Sequence, residues 1–200
     1  MKRVAVSVVL YLLTGCAATT WSVKNVQDEF TDKRSCKVIY GSDFGRDFVK
    51  ASGGIHYYPF IEKMNDEIIF GVHNDYNVPV GDIQIRVDNN DPVLISYSET
   101  PVSYTATNKA VDLSYLKGVE GINQEAMQSS IEASMKNISK MSSPFTATSG
   151  EKAKQIISQL KAGQKMKMRV IGFGTNSIAS TTGEFELGES LRASLAACGI

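Results

Sequence analysis

The sequence predicts a mainly β, α+β fold: an antiparallel β-sandwich or barrel-like sheet with two or three helices packed on one side. Three observations lead there. Several short segments alternate apolar and polar residues with period two, the signature of a half-buried strand. Clusters of Gly, Asn, Asp and Pro separate them, and these residues favour turns. Strands and helices are also segregated along the chain instead of alternating as βαβ units.

The elements follow in order. "TWSVKNV" reads as a strand anchored by Trp21, Val23 and Val26. "RSCKVIYG" places Cys36, Val38 and Tyr40 on one face and stops at Gly41. From Gly53 to Glu99 the chain resembles a meander. Ile68, Phe70 and Val72 alternate, "NDYN" turns, and Ile83, Ile85 and Val87 alternate with Gln84 and Arg86. "DNNDP" turns again, and Val93, Ile95 and Tyr97 continue the alternation. After Gly121 the period changes. Met127, Ile131, Ile138 and Met141 sit at helical offsets, so Asn123–Met141 reads as an amphipathic helix that "SSPFTATSG" breaks. Ala153, Ile156, Ile157 and Leu160 form the i, i+3, i+4, i+7 set of a second helix, closed by Gly163. Met166, Met168 and Val170 then alternate with Lys165, Lys167 and Arg169, a strand with one basic face. "SIASTTGEFEL" is strand-like, and Leu191, Leu195 and Cys198 form the stripe of a last helix.

The N-terminus is of another kind. Val4–Leu13 is apolar but for Ser7, follows Lys2 and Arg3, and is too short to span a bilayer, which needs about 20 residues. Basic residues, an apolar run and then small residues are the order of a secretory signal. The run ends in Leu13-Thr14-Gly15-Cys16, which resembles the lipobox of bacterial lipoproteins. That resemblance implies cleavage before Cys16 and lipidation of its thiol; an ordinary cleaved signal is the alternative. The expected organisation is 1–15 signal peptide, 16–20 lipidated cysteine and tether, and 21–200 one periplasmic β-rich domain. Three acyl chains, as the resemblance implies, exceed the two that stable anchoring takes. The residue after the cysteine is Ala17, not the Asp of inner-membrane retention, so the periplasmic face of the outer membrane is favoured. Ala17–Thr20 reach at most about 14 Å, which would hold the domain close to the bilayer.

Losing residues 1–15 takes Lys2 and Arg3 from 21 basic side chains and leaves 19 against 21 acidic ones, a net charge near −2. No basic block occurs, which argues against nucleic acid as a partner. Of three cysteines, one is assigned to lipid. In the oxidising compartment that the signal implies, Cys36 and Cys198 are expected to pair. The bond would close a loop of about 160 residues, for which the chain-entropy model gives roughly 5 kcal/mol at most. Cys198 lies on the apolar stripe of the last helix and Cys36 shares a strand face with Val38 and Tyr40. Two isolated cysteines without neighbouring histidines make a poor metal set.

The ending "MRVIGFGTNSIASTTGEFELGESLRASLAAC" resembles the C-terminal part of invasion-associated locus B family proteins. Arg169, Val170, Gly172, Phe173, Gly183, Phe185, Leu187, Leu191, Leu195 and Cys198 carry the likeness, and "IQIRVDNNDP" and "TWSV…RSC" fit the same outline. Residues 98–150 do not obviously match, and a lipobox departs from the usual secretory form of that family. The resemblance implies a β-rich envelope or secreted protein with a role at the envelope or host interface and no catalytic centre.

Chemistry is sparse. His56 and His73 are lone histidines in strand-like contexts, and no Gly-x-Ser-x-Gly elbow is present. Asp88-Asn89-Asn90-Asp91 suggests a calcium loop, but Pro92 follows and the Gly and terminal Glu are missing, so it reads as a turn. The pairs Asp43/Asp47 and Glu184/Glu186 read as solvated faces. No catalytic residue, cofactor or metal site is expected. Tyr57, Tyr58 and Phe60, after the Gly-rich "SGG", form a candidate ligand-binding patch, since aromatics suit sugar or peptide contact. The Lys165/Lys167/Arg169 face could touch anionic lipid or glycan. The leading expectation is a non-catalytic envelope lipoprotein that binds an envelope or host protein. A ligand- or glycan-binding module on the aromatic patch is the alternative, and an envelope hydrolase or an inhibitor of a cell-wall enzyme is a further one.

Overall fold

The computed structural model describes residues 21–27, 29–30, 34–41, 55–74, 76, 78–105, 123–173 and 182–200. Within them lie nine strands: β1 Trp21–Gln27, β2 Arg34–Tyr40, β3 Tyr57–Met64, β4 Glu67–Asn74, β5 Asp82–Val87, β6 Val93–Ile95, β7 Phe145–Ser149, β8 Lys165–Gly172 and β9 Thr182–Glu186. Three helices accompany them: α1 Gln124–Met141, α2 Gly150–Ala162 and α3 Glu189–Ala197. The strands form a five-stranded sheet, β1-β2-β3-β4-β7, and a four-stranded sheet, β6-β5-β8-β9. Every pairing is antiparallel. The fold is thus α+β with two open sheets and no closed barrel, which settles the sequence's alternative in favour of stacked sheets.

The main core lies between the sheets. Val38, Ile61, Phe70 and Val72 of the larger sheet meet Ile83, Ile85, Val87, Ile95, Met166, Met168, Val170 and Phe185 of the smaller one. On the same face of the larger sheet, α2 lies against β4 and β7, and α3 against β1 and β2. The helical stripes Ala153/Ile156/Ile157/Leu160 and Leu191/Leu195 join this core as their spacing predicts. The opposite face of the larger sheet is buried as well, around Ile39, Phe60, Ile69 and Ala147. Gly71 is what lets Phe60 lie flat there. A Cβ on Gly71 would fall 2.6 Å from Phe60 Cζ and 2.7 Å from Ala147 Cβ.

Two polar connections tie the sheets at the β7–β5 corner. Thr146 Oγ1 donates to Gly81 O, and Val80 N donates to Ser143 O at 3.2 Å. Gly81 has φ +74°, and its Cα sits so close to Gly172 backbone that any Cβ would collide. At the far edge, Trp21 Nε1 donates to Glu186 O at 2.8 Å, and the Trp21, Tyr40 and Phe185 rings pack edge to face.

Local details add to or change the expectations. "SSPFTATSG" breaks the helix, since α1 ends at Met141, and it also contains strand β7, whose Thr146 and Thr148 donate their hydroxyls to Gly81 O and Glu99 Oε2. The alternation through Tyr97 stops at Ile95, because Ser96 caps a 3-10 turn over Tyr97–Glu99 and Asp82 Oδ1 accepts from both Ser96 Oγ and Tyr97 N. Val23 is exposed on edge strand β1 and anchors nothing, whereas Trp21 is buried; the Val26 side chain lies outside the described residues. Helix α1 starts on Asn123, whose Oδ1 accepts from Ala126 N, and ends at Ser142. Its stripe is only partly covered: Met127 and Ile131 are half-buried, while Ile138 and Met141 are exposed.

Candidate functional site

Cys36 and Cys198 are joined by a disulfide with a Cα–Cα distance of 5.4 Å, closing a sequence separation of 162. The strand face and the helix stripe that carry them both turn inward, so α3 is fastened to β2 where it docks. Next to the bond, Lys63 Nζ donates to Gly199 O at 2.7 Å. Cys16, with the rest of the lipobox and tether, lies outside the described residues, as do Asp43, Asp47 and the "SGG" segment. Among the described residues no helix is long and apolar enough to cross a membrane.

The three aromatics do not form one exposed surface. Tyr57 packs against the main core, while Phe60 points to the other side of the sheet and is fully buried. The Phe60 ring lies 5.3 Å from that of Tyr104 and 5.9 Å from that of Phe145, centroid to centroid. Tyr58 is half-buried beside the exposed His56. A ligand could therefore reach at most the tyrosine edges, because alternation puts consecutive side chains on opposite faces. His73 is buried against Phe145, with ring centroids 4.5 Å apart. Asp88 makes a turn: its carboxylate accepts from Gln164 N and Lys165 N, fixing the start of β8. No group of three or more His, Cys, Asp or Glu suited to a metal occurs among the described residues.

Two concave surfaces are lined by polar side chains. The first is an open depression of about 850 Å³ at the ends of β1, β2 and β3, lined by Asn25, Gln27, Arg34, Ser35, Lys63 and Asn65 beside the disulfide. Register brings these residues together, since Gln27 pairs with Arg34 and Cys36 with Lys63. The sequence carries no local signal for it. The second is a groove of about 310 Å³ on the outer face of the smaller sheet, lined by Gln84, Arg86, Pro92, Lys167 and Arg169. Here the alternation of β8 does announce the basic side chains, but not Arg86 from β5, which pairs with Lys167.

Electrostatics differ along that face. Lys165 Nζ lies 3.3 Å from Glu184 and 3.6 Å from Glu186, and Lys167 Nζ lies 3.5 Å from Glu184. The Glu184 hydrogen bond and charge raise the Lys165 pKa, and Lys165 in turn holds the Glu184 carboxyl below its usual range. The Glu184/Glu186 pair is therefore a solvated face that neutralises part of the basic strand.

Sequence reasoning also missed a buried ion pair. Lys37 Nζ lies 3.1 Å from Glu62 Oε2, and the ammonium sits over the Phe60 and Tyr104 rings at 5.2 and 5.5 Å. Glu62 inside the apolar run "YYPFIEKM" was the available signal, because a charge among core residues needs a partner. Of the residues on which the expected family resemblance rests, Val170, Phe185, Leu187, Leu191, Leu195 and Cys198 are all buried and serve packing. No family model matches the chain, and no curated protein or solved structure matches it.

Proposed function

We propose that the chain is a bacterial envelope lipoprotein, anchored to the periplasmic face of the outer membrane, whose domain is a non-catalytic module that binds another protein. The observation that carries this is the Leu13–Cys16 quartet with only four residues before β1. A lipid on Cys16 keeps the Trp21 end of β1 near the bilayer. Asn25 and Gln27, roughly 13–20 Å further along that strand, then face the periplasm with the rest of the depression. Amide side chains and two cations, Arg34 and Lys63, suit an acidic or polar protein surface. The resemblance to invasion-associated locus B proteins belongs to the same proposal. The residues that carry it are mostly buried, so they leave the partner open.

The test is in-cell crosslinking followed by recovery from membranes. The expected result is a specific partner whose yield falls when Arg34 is changed to Glu, while the disulfide and the melting temperature are retained. Recovery of no partner, or of the same partner at unchanged yield, would count against the depression. Cys16→Ser should release the processed domain from membranes, and retention of a fully processed Cys16→Ser protein would reject the anchor. Binding of a glycan instead, lost on changing Tyr57 and Tyr58 to Ala without unfolding, would replace the protein-partner proposal with the ligand-binding one.

A further inference from the structure

Arg86 of β5 and Lys165, Lys167 and Arg169 of β8 share the outer face of the smaller sheet with Glu184 and Glu186 of β9. The carboxylates sit on the β9 side and engage the two lysines. On the β5 side both arginines are held by neutral acceptors. Arg86 Nε donates to Asn90 O at 2.9 Å, and Arg169 Nε donates to Gln84 Oε1 at 2.8 Å. Among the described residues neither guanidinium forms an ion pair. Arg169 is positioned through that one nitrogen and Arg86 through two, its Nη2 also donating to Asn89 O at 3.5 Å; each retains further N–H donors, which suit phosphate oxygens. Between them lies the groove of about 310 Å³.

This face also begins where the anchor would enter. Trp21 is bonded to Glu186 O, and Glu186 pairs with Lys165, the first residue of β8. From Lys165 to Arg169 the strand advances about 13 Å, comparable to the reach of about 14 Å for the four tether residues.

We propose that this face rests on an anionic bilayer, with lipid phosphates seated in the groove of Arg86, Lys167 and Arg169. The proposal deepens the lipoprotein reading and rests on it for the tether. The chain after residue 15 carries a net charge near −2, so an anionic surface repels the domain as a whole and selects the orientation that turns this basic face inward. The lipid supplies attachment, and the face supplies orientation.

The test uses protein purified from membranes and reconstituted into vesicles of phosphatidylcholine alone or with about 30% phosphatidylglycerol, an anionic surface of the kind that attracts basic segments. Lysine acetylation read by mass spectrometry compares Lys167 with Lys161 of α2. Expected is at least about threefold protection of Lys167 on the anionic vesicles only, lost at about 0.5 M salt because surface charge is then screened. Lys161 should label equally throughout. Changing both Arg86 and Arg169 to Gln should abolish the protection without altering the melt, since both side chains are exposed. Equal Lys167 labelling on the two vesicles overturns the proposal. So does protection that appears only when soluble periplasmic protein is added, which would make the face a protein interface. Protein that floats with both vesicles but labels identically fails this proposal alone. Protein that floats with neither fails both readings, and flotation with anionic vesicles only removes the lipid anchor while supporting the face.

Discussion

The outer faces of the two sheets obey opposite rules. On the smaller sheet, Ile83, Ile85 and Val87 turn inward while Gln84 and Arg86 meet solvent, and β8 repeats the pattern with Met166, Met168 and Val170 against Lys165, Lys167 and Arg169. On the larger sheet, β3 buries Pro59, Phe60, Ile61 and Glu62 in succession, and β4 buries Ile69 through Asn74. The larger sheet is the middle layer, covered on both sides, so its central strands read as continuous apolar runs. A charged pair there, Lys37 and Glu62, is sunk against aromatic rings. The lesson concerns where function can reside. The two-sided sheet commits the faces of its central strands to packing and offers only the depression at the ends of β1, β2 and β3, whereas the one-sided sheet leaves a whole face whose side chains can meet a partner.

Substitution should expose that contrast most strongly at Phe60 and Lys167. Phe60→Ala empties a fully buried site between Tyr104, Phe145 and Gly71, and should cost about 3–5 kcal/mol. Lys167→Ala, on the solvated face, should change stability by no more than about 0.5 kcal/mol. Urea melts of the two variants make the comparison. Equal losses would mean that the outer face of the smaller sheet is covered in the folded protein.

The disulfide comes next in size. Cys36→Ser with Cys198→Ser should lower stability by about 2–4 kcal/mol and loosen α3 first. That helix is only nine residues long, too short to persist without packing. Hydrogen exchange would show it: α3 amides should lose protection while β5 and β8 keep theirs. A uniform loss across both sheets would show that the bond holds the whole sandwich and not one docked helix.

The same contrast governs what could be read in the sequence. Beta8, α2 and α3 were legible because each buries one face, and one-sided burial writes a period into the chain. Cys36 and Cys198 were legible for that reason too, each sharing a side with apolar neighbours. Strand β7 was hidden, since Pro144, Ser142, Ser143 and Gly150 bracket five residues whose two inward side chains are threonines. Their burial is licensed by hydrogen bonds from Thr146 to Gly81 and from Thr148 to Glu99, which no local pattern reveals. The three aromatics do not share one surface because period two separates Tyr57 from Phe60 in β3. The depression escaped because it is made by register, bringing Arg34 to Gln27 and Lys63 to Cys36.

The smallest effect separates two carboxylates in acid. Glu99 is half-buried at the β7 edge of the larger sheet. Burial raises its pKa, but hydrogen bonds from Lys152 at 2.7 Å, Ser96 N–H and Thr148 Oγ1, with the Lys152 charge, outweigh it and hold the carboxyl below 4.5. A carboxyl depressed in the folded state binds its proton more readily when the chain unfolds. Its contribution is therefore complete above the unfolded pKa, near 4.3 to 4.5 (about the model-peptide value), and is lost as pH falls through the folded value. Glu184, on the outer face of the smaller sheet, is also depressed, first by its hydrogen bond from Lys165 and then by the charges of Lys165 and Lys167. It is solvent-exposed, so salt and water screen that pairing. Stability measured from pH 7 down to pH 3 should thus fall less steeply in Glu99→Gln than in the parent, with the difference confined below about pH 5. In Glu184→Gln the curve should overlay the parent once about 0.15 M salt is present. A Glu184→Gln effect as large as that of Glu99→Gln would place the carboxylates of the smaller sheet in a desolvated setting and erase the distinction between the two faces.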